Sequence, residues 1–325
     1  MHRLSEAVPS DHHPWDTRGP WRFVPLARQL YATYRRYVPI WGLPALRRLH
    51  ANGVPTFLQR PLEFLLSEEL TPQDTSVINR IESLRAALIR RGAEKVRYYA
   101  SQSSTDNSGK SRSPGRLEER LAGPISWGRI ATLASIPPYW GAFLYLCAKF
   151  HGSRTILELG GCAGISGCYL ASSPFCERFI TIEGSPDLAA VAASNLAQIS
   201  RHATVITASF DDAINDLLPL ADKLDCVFID GHHEGSARLG YVNRVTPFMS
   251  PGSLMIWDDI HFSQDLWDAW LTFSRGAGAA YAVNLGRFGL VVWDMNTTSH
   301  RYSDFSGYAG YWGKGGPRRG GKWPF

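Results

Sequence analysis

The stretch Thr155-Ile-Leu-Glu158-Leu-Gly160-Gly161-Cys162-Ala163-Gly164-Ile165-Ser166 constrains the fold of this chain more than any other. Thr155 to Leu159 is the short apolar run expected of a central parallel strand. Gly160, Gly161 and Gly164 then supply free φ and a missing Cβ, which let a backbone turn sharply and pass close to a bound molecule. Ile165 to Ser172 is predicted to start a helix whose free N–H groups face that loop. A second apolar run, Arg178 to Glu183, also closes on an acid and is followed at once by Gly184-Ser-Pro186.

The two strand-terminal acids select a ligand class. A dinucleotide fold holds a pyrophosphate with G-x-G-x-x-G and places one acid on a ribose. In this chain Cys162 takes the middle glycine's place, and Glu158 stands where it would repel a phosphate but attract an ammonium group. S-adenosyl-L-methionine (SAM) carries an ammonium, a sulfonium and a ribose diol without any phosphate, so SAM is expected ahead of NAD. Glu183 is expected on the ribose hydroxyls, and Glu158 with the Gly160, Gly161 and Gly164 backbone on the amino-acid end. Phe210 would wall the adenine, with Asp211 beside it after the third strand. Asp211 reads equally well as a helix-capping residue.

Apolar runs recur at 155–159, 178–183, 203–207, 225–229 and 253–257, alternating with helical segments such as 187–199 and 236–248. That alternation predicts an α/β, doubly wound, mostly parallel sheet. Runs at 280–285 and 289–293, joined through Gly286-Arg287-Phe288-Gly289, predict a closing hairpin. Before the first strand, Thr71-Pro72-Gln-Asp74 has the cap, proline and acid of a helix start, with Val77, Ile81, Leu84 and Leu88 on one apolar face. Further helices are expected at about 127–135 and 140–150.

From about Pro137 to Trp293 the chain resembles the class I SAM-dependent methyltransferases, in particular their small-molecule O-methyltransferase-like branch. Three pieces carry the likeness: Pro137-Pro-Tyr-Trp140-Gly141, the Glu158 to Gly164 loop with Glu183, and the pair Phe228-Ile-Asp230-Gly231-His232-His233 with Trp257-Asp258-Asp259-Ile260-His261. The branch's usual tyrosine two residues past the Asp-Gly-x-His histidine is Gly235 in this chain. Ile136-Pro-Pro-Tyr139 looks like the amino-group methyltransferase motif, but it precedes the first strand instead of following the fourth, so it reads as a helix start. The resemblance implies a Rossmann-like sheet of seven strands with the last inserted antiparallel. It also implies transfer of a methyl group to an oxygen. Loss of the acceptor's proton then has two routes: Mg2+ held by Asp230, Asp258 and Asp259, or a general base, His233 or His261, beside Asp230. His232 reads as solvent-facing or structural.

Composition sets the outer limits. Apolar content of 44% and charged content of 19% are those of a globular chain. The five cysteines show no paired metal spacing, which fits a reducing cytoplasmic setting. No apolar run approaches the ~20 residues of a membrane span, and no signal-peptide core is evident. Residues 151–295 hold 8 Lys and Arg against 16 Asp and Glu, so a core of −8 sits in a chain of +5, and the flanks carry +13. The expected organisation is a helical, basic N-terminal extension over 1–124 with a flexible linker at about 101–115, a catalytic domain over 125–295, and a basic, disordered tail over 296–325. Trp21 to Tyr37 outlines a basic amphipathic helix. A small-molecule acceptor is the leading expectation, and a homodimer stays open. A nucleic-acid methyltransferase or binder using the basic flanks, and a non-catalytic SAM-fold scaffold, remain as alternatives.

Overall fold

The computed structural model describes residues 42–48, 50–51, 53–99, 121–217 and 223–309. The expected basic helix at 21–37, the linker at 101–115 and the chain after 309 lie outside them.

Besides short helical turns at Trp127–Arg129, Ile130–Ala134 and Thr246–Phe248, the helices numbered in chain order are α1 (Thr56–Ser67), α2 (Pro72–Arg90), α3 (Pro138–His151), α4 (Ile165–Ala171), α5 (Pro186–Ala197), α6 (Phe210–Leu217), α7 (Gly235–Val245) and α8 (Gln264–Ser274). The strands are β1 (Lys95–Tyr99), β2 (Leu121–Ser126), β3 (Thr155–Leu159), β4 (Arg178–Glu183), β5 (Ala203–Thr207), β6 (Leu224–Ile229), β7 (Met249–Trp257), β8 (Ala279–Asn284), β9 (Gly289–Trp293) and β10 (Arg301–Asp304). Eight of them form one sheet in the order β10-β8-β9-β7-β6-β3-β4-β5. All neighbours run parallel except β9, which is antiparallel to both β7 and β8. The five alternating units of the sequence and the closing hairpin therefore appear as expected, and the sheet gains one strand. That strand, β10, pairs in parallel with β8. It lies beyond residue 295, within the segment expected to be a disordered tail, and the chain after it buries Phe305 and Ala309.

Side chains alternate across the strands and fill two layers. Ile156, Phe179, Phe228, Leu254 and Val283 face one side, under the N-terminal helices, α3 and α4. Leu157, Ile180, Val227, Met255 and Trp257 face the other, under α6, α7 and α8.

The N-terminal helices share the first of these layers. Leu58, Leu62, Ile81 and Leu88 belong to the same apolar cluster as Phe143 and Ile156. Thr71 caps α2 by accepting the Asp74 N–H at 3.1 Å, as its sequence predicts. Asp74 is itself buried and accepts from Thr71 Oγ1 at 2.7 Å, Tyr145 Oη at 2.7 Å and Lys149 Nζ at 2.6 Å, locking α2 onto α3. Burial alone would raise the Asp74 pKa, but these donors outweigh it and hold it below the usual carboxylate range.

The region before β3 is not purely helical either. β1 and β2 pair antiparallel, and the Arg97 carbonyl accepts from Ser185 Oγ at the start of α5. Pro137 and Pro138 open α3 as expected. Among the described residues no single helix is long and apolar enough to cross a membrane. α3 is apolar nearly all round because it is enclosed by α1, α2 and α4.

Candidate active site

The strand order reverses between β3 and β6, and in open α/β sheets the crevice at that point receives the ligand. β3 leaves the sheet through Gly160 at φ 105°, where a Cβ would lie 2.8 Å from the Asp230 carbonyl oxygen. Only glycine allows the two strand ends to lie this close. Gly164, at φ 79°, brings α4 against α5, where a Cβ would lie 2.9 Å from Ala192 Cα. At these positions the close approach expected toward a ligand is an approach to neighbouring backbone. The loop's conformation is set by packing, and its N–H groups are used within the fold: Gly160 and Gly161 donate to the Ile182 carbonyl at 3.0 and 3.2 Å, and Gly164 donates to the Gly161 carbonyl at 2.7 Å. Cys162 adopts φ 45° without being glycine, and its N–H donates to Glu183 Oε2 at 2.8 Å.

Glu183 ends β4 with only 8% of its surface exposed and accepts the Ser185 N–H on Oε1 at 2.8 Å. Burial pushes its pKa up, and the backbone donors of Ser185, Cys162 and Gly184 oppose that. Two of roughly four acceptor positions of this carboxylate remain for hydroxyl donors. Glu158 is fully buried on β3, against Gly167 of α4, and neither of its oxygens has a partner at hydrogen-bonding geometry. Burial raises its pKa to about 7, against the nearby hydroxyls of Ser166 and Thr181. An orphaned buried carboxylate is costly, and a bound ammonium group would relieve it. Glu158 and Glu183 thus fit the amino-acid and ribose ends of SAM.

Phe210 opens α6 and lies against Gly231, where a Cβ would meet its ring at 2.4 Å, and edge-on to Tyr241 at 5.4 Å. It therefore borders the crevice. Asp211 does not: its side chain is 66% exposed and pairs with Arg244 of α7 at 2.6 Å. Ser209 and Asp212 cap α6 instead.

Beyond β6 and β7 the carboxylates do converge. Asp230 donates its N–H to Leu159, and Asp258 donates its N–H to Ile229, so three strand ends are stitched together. Burial, then the charges of Asp258 and Asp259, push the Asp230 pKa well up. Arg287, from the β8–β9 turn, pairs with Asp258 Oδ2 and stands 3.7 Å from Asp259 Oδ1. Arg238 of α7 is completely buried over the Trp257 ring and donates to the Asp258 carbonyl at 2.5 Å and the Gly231 carbonyl at 3.3 Å.

Asp259 has left the strand at φ 52° and faces His233 Nε2 at 3.5 Å. Burial would raise its pKa, but Arg287, His233 and Arg238 take it down to about 2. His233 packs on Phe262 at 4.7 Å. His232, at φ 57°, bonds Tyr241 Oη at 2.7 Å, the structural of the two roles expected of it. His261 is not brought into this cluster. It stacks on Trp267 at 4.1 Å, near Asn284 and Asp304.

Two features of this site were not read from the sequence. Arg238 and Arg287 are its cations, and no motif marks either. Gly235, the departure from the branch's tyrosine, has a steric cause: a Cβ there would lie 2.4 Å from the Asp265 carbonyl oxygen, where α7 meets α8. Among the described residues no group of three or more His, Cys, Asp or Glu side chains is disposed to hold a metal ion. The expected set Asp230, Asp258 and Asp259 is drawn together around a guanidinium.

Residues 157–260 match a family described as a methyltransferase domain. A catechol O-methyltransferase of Niastella koreensis is 32% identical over 130 residues, covering 39% of this chain. The chain spans only 58% of that relative's length. An O-methyltransferase of Bacillus cereus solved with SAH overlaps 49% of this chain and 83% of its own, at 22% identity and a TM-score of 0.43. One from Streptomyces achromogenes, involved in tomaymycin synthesis and solved with SAM, overlaps 50% and 82% at 22% identity and a TM-score of 0.43. Overlaps this loose leave the fold to be judged from the sheet itself, in which the parallel strands β7, β6, β3, β4 and β5 reverse their order between β3 and β6 and β9 closes antiparallel. By the matched segment, residues 157–260 are similar to a methyltransferase domain, and the mostly parallel sheet with its antiparallel β9 agrees with the fold expected from that likeness.

Proposed function

We propose that this chain is a SAM-dependent methyltransferase that methylates an oxygen of a small molecule. The observation that carries the reading is the pair of buried strand-end acids flanking one loop, Glu158 without partners and Glu183 half used by backbone N–H groups. Glu158 would take the ammonium, Glu183 the ribose hydroxyls and Phe210 the adenine face, with the turn through Gly160, Gly161 and Gly164 bordering the amino-acid end. When bound, SAM supplies a methyl group already activated on a sulfonium. The protein's share is then alignment, which is worth ~7–11 kcal/mol in well-oriented reactions, and removal of the acceptor's proton.

His233 is the base this geometry supports. It stands at the end of β6, its Nε2 faces Asp259, and that carboxylate stays ionised. Asp259 holds the imidazole ring in place and stabilises the imidazolium formed when the acceptor hydroxyl gives up its proton. Asp230 borders the same crevice, where burial and the neighbouring carboxylates favour its neutral form. His261 has no part in this step.

The test uses SAM labelled on its methyl group, incubated with purified protein and the small-molecule fraction of a cell extract. Label should enter a small product that resists mild base, as an ether does, and His233→Gln should abolish the transfer. Label in nucleic acid, or none in any fraction, would overturn the reading.

A further inference from the structure

We propose that Arg287 is the resident cation of this site, and that the Asp230, Asp258 and Asp259 cluster does not take up a divalent ion. The inference rests on the methyltransferase reading only for its meaning, since the geometry stands without it. Each oxygen of the two strand-end carboxylates is committed. Asp258 Oδ1 accepts the Asp259 N–H at 2.7 Å, and its Oδ2 pairs with Arg287. Asp259 Oδ1 faces Arg287 at 3.7 Å, and its Oδ2 faces His233 at 3.5 Å. A cation bridging these carboxylates would have to displace the guanidinium.

The guanidinium has little room to move. The Ile260 N–H donates to the Arg287 carbonyl at 3.1 Å, tying the β8–β9 turn to the end of β7. The next residue, Phe288, is fully buried between Trp140, Phe143 and Phe228, with ring centroids at 4.8, 6.0 and 5.9 Å. These contacts fix the backbone from which the Arg287 side chain reaches Asp258. Two cations already face these carboxylates: Arg287 pairs with Asp258 and stands near Asp259, and Arg238 is buried beside the Asp258 carbonyl. A divalent ion would sit against two buried like charges, which disfavours it strongly in a site this dry.

Binding of Mn2+ is read directly, by electron paramagnetic resonance or calorimetry, on the full chain without SAM or acceptor. The titration thus reports on the cation site whether or not the chain methylates oxygen. The wild type should bind no stoichiometric Mn2+ at millimolar concentration. Arg287→Ala, with folding checked by circular dichroism, should gain one Mn2+ site that the further change Asp258→Asn removes. Tight one-to-one binding by the wild type, lost in Asp258→Asn, would overturn the proposal even if Arg287→Ala failed to fold. So would a folded Arg287→Ala that still binds none.

Discussion

Replacing Glu158 by glutamine should stabilise the protein without cofactor while weakening its hold on SAM. The carboxylate has no hydrogen-bond partner and no exposed surface. Burial moves its pKa from an ordinary 4.5 to about 7. Each factor of ten in proton affinity is worth ~1.4 kcal/mol, so the ionised form is disfavoured in the fold by roughly 3 kcal/mol. The folded state holds this proton more tightly than the unfolded chain. The group's stabilising contribution is therefore intact below about 4.5 and is lost as pH rises through about 7.

Glu158→Gln keeps the shape and removes the charge. Urea denaturation of the wild type and the variant should agree near pH 5 and diverge by up to ~3 kcal/mol at pH 8, with the variant more stable. SAM should raise wild-type stability at pH 8, because its ammonium compensates the carboxylate, and should raise that of the variant much less. Parallel pH profiles for the two proteins would refute the reasoning, since Glu158 would then already be compensated in the free chain.

Asp74→Ala removes the acceptor shared by Thr71, Tyr145 and Lys149, and should cost ~3 kcal/mol in chemical denaturation, as expected when one partner of a buried ion pair is lost. Because the Asp74 pKa lies below normal, its contribution is present above the unfolded carboxylate range and should fade as pH falls through the folded value, so Asp74→Asn should be nearly indistinguishable from wild type in strong acid. Gly164→Ala puts a Cβ against Ala192 at a positive φ and should lower stability by ~1–3 kcal/mol, read as a drop in melting temperature. His233→Gln should lower kcat by ~100-fold or more, the usual contribution of a general base, with SAM affinity unchanged by calorimetry.

The central sheet was legible because a parallel strand covered on both faces is a short apolar run, and here β3, β4, β6 and β7 each end on, or directly before, an acid or a glycine. Glu158, Glu183, Asp230 and Asp258 could be placed at one edge for that reason alone. The strands that escaped notice lack the pattern. β2 carries Gly123 and Pro124 in its middle, and β10 is only four residues long, polar, and at the sheet edge.

The reading of 1–124 as an extension took the polar stretch at 101–115 as a boundary, yet that stretch falls between β1 and β2, which pair with each other. Asp211 was placed by its position after a strand, and Arg244, from a helix formed thirty residues later, claims it. Arg287 was hidden for a similar reason. A lone arginine in Gly286-Arg287-Phe288-Gly289 reads as a solvated turn, until insertion of β9 between β7 and β8 carries it to Asp258. One signal was available: Arg287 is the only Lys or Arg between Arg275 and Arg301, while three carboxylates at neighbouring strand ends require a counter-charge.

Calorimetric titration of S-adenosylhomocysteine into the wild type and into Glu183→Ala tests the central claim most directly. The account expects one molecule bound per chain, and at least several-fold weaker binding in the variant, as buried hydroxyls lose their acceptor at ~1–3 kcal/mol. Failure of the wild type to bind, or equal affinity in Glu183→Ala, would contradict it.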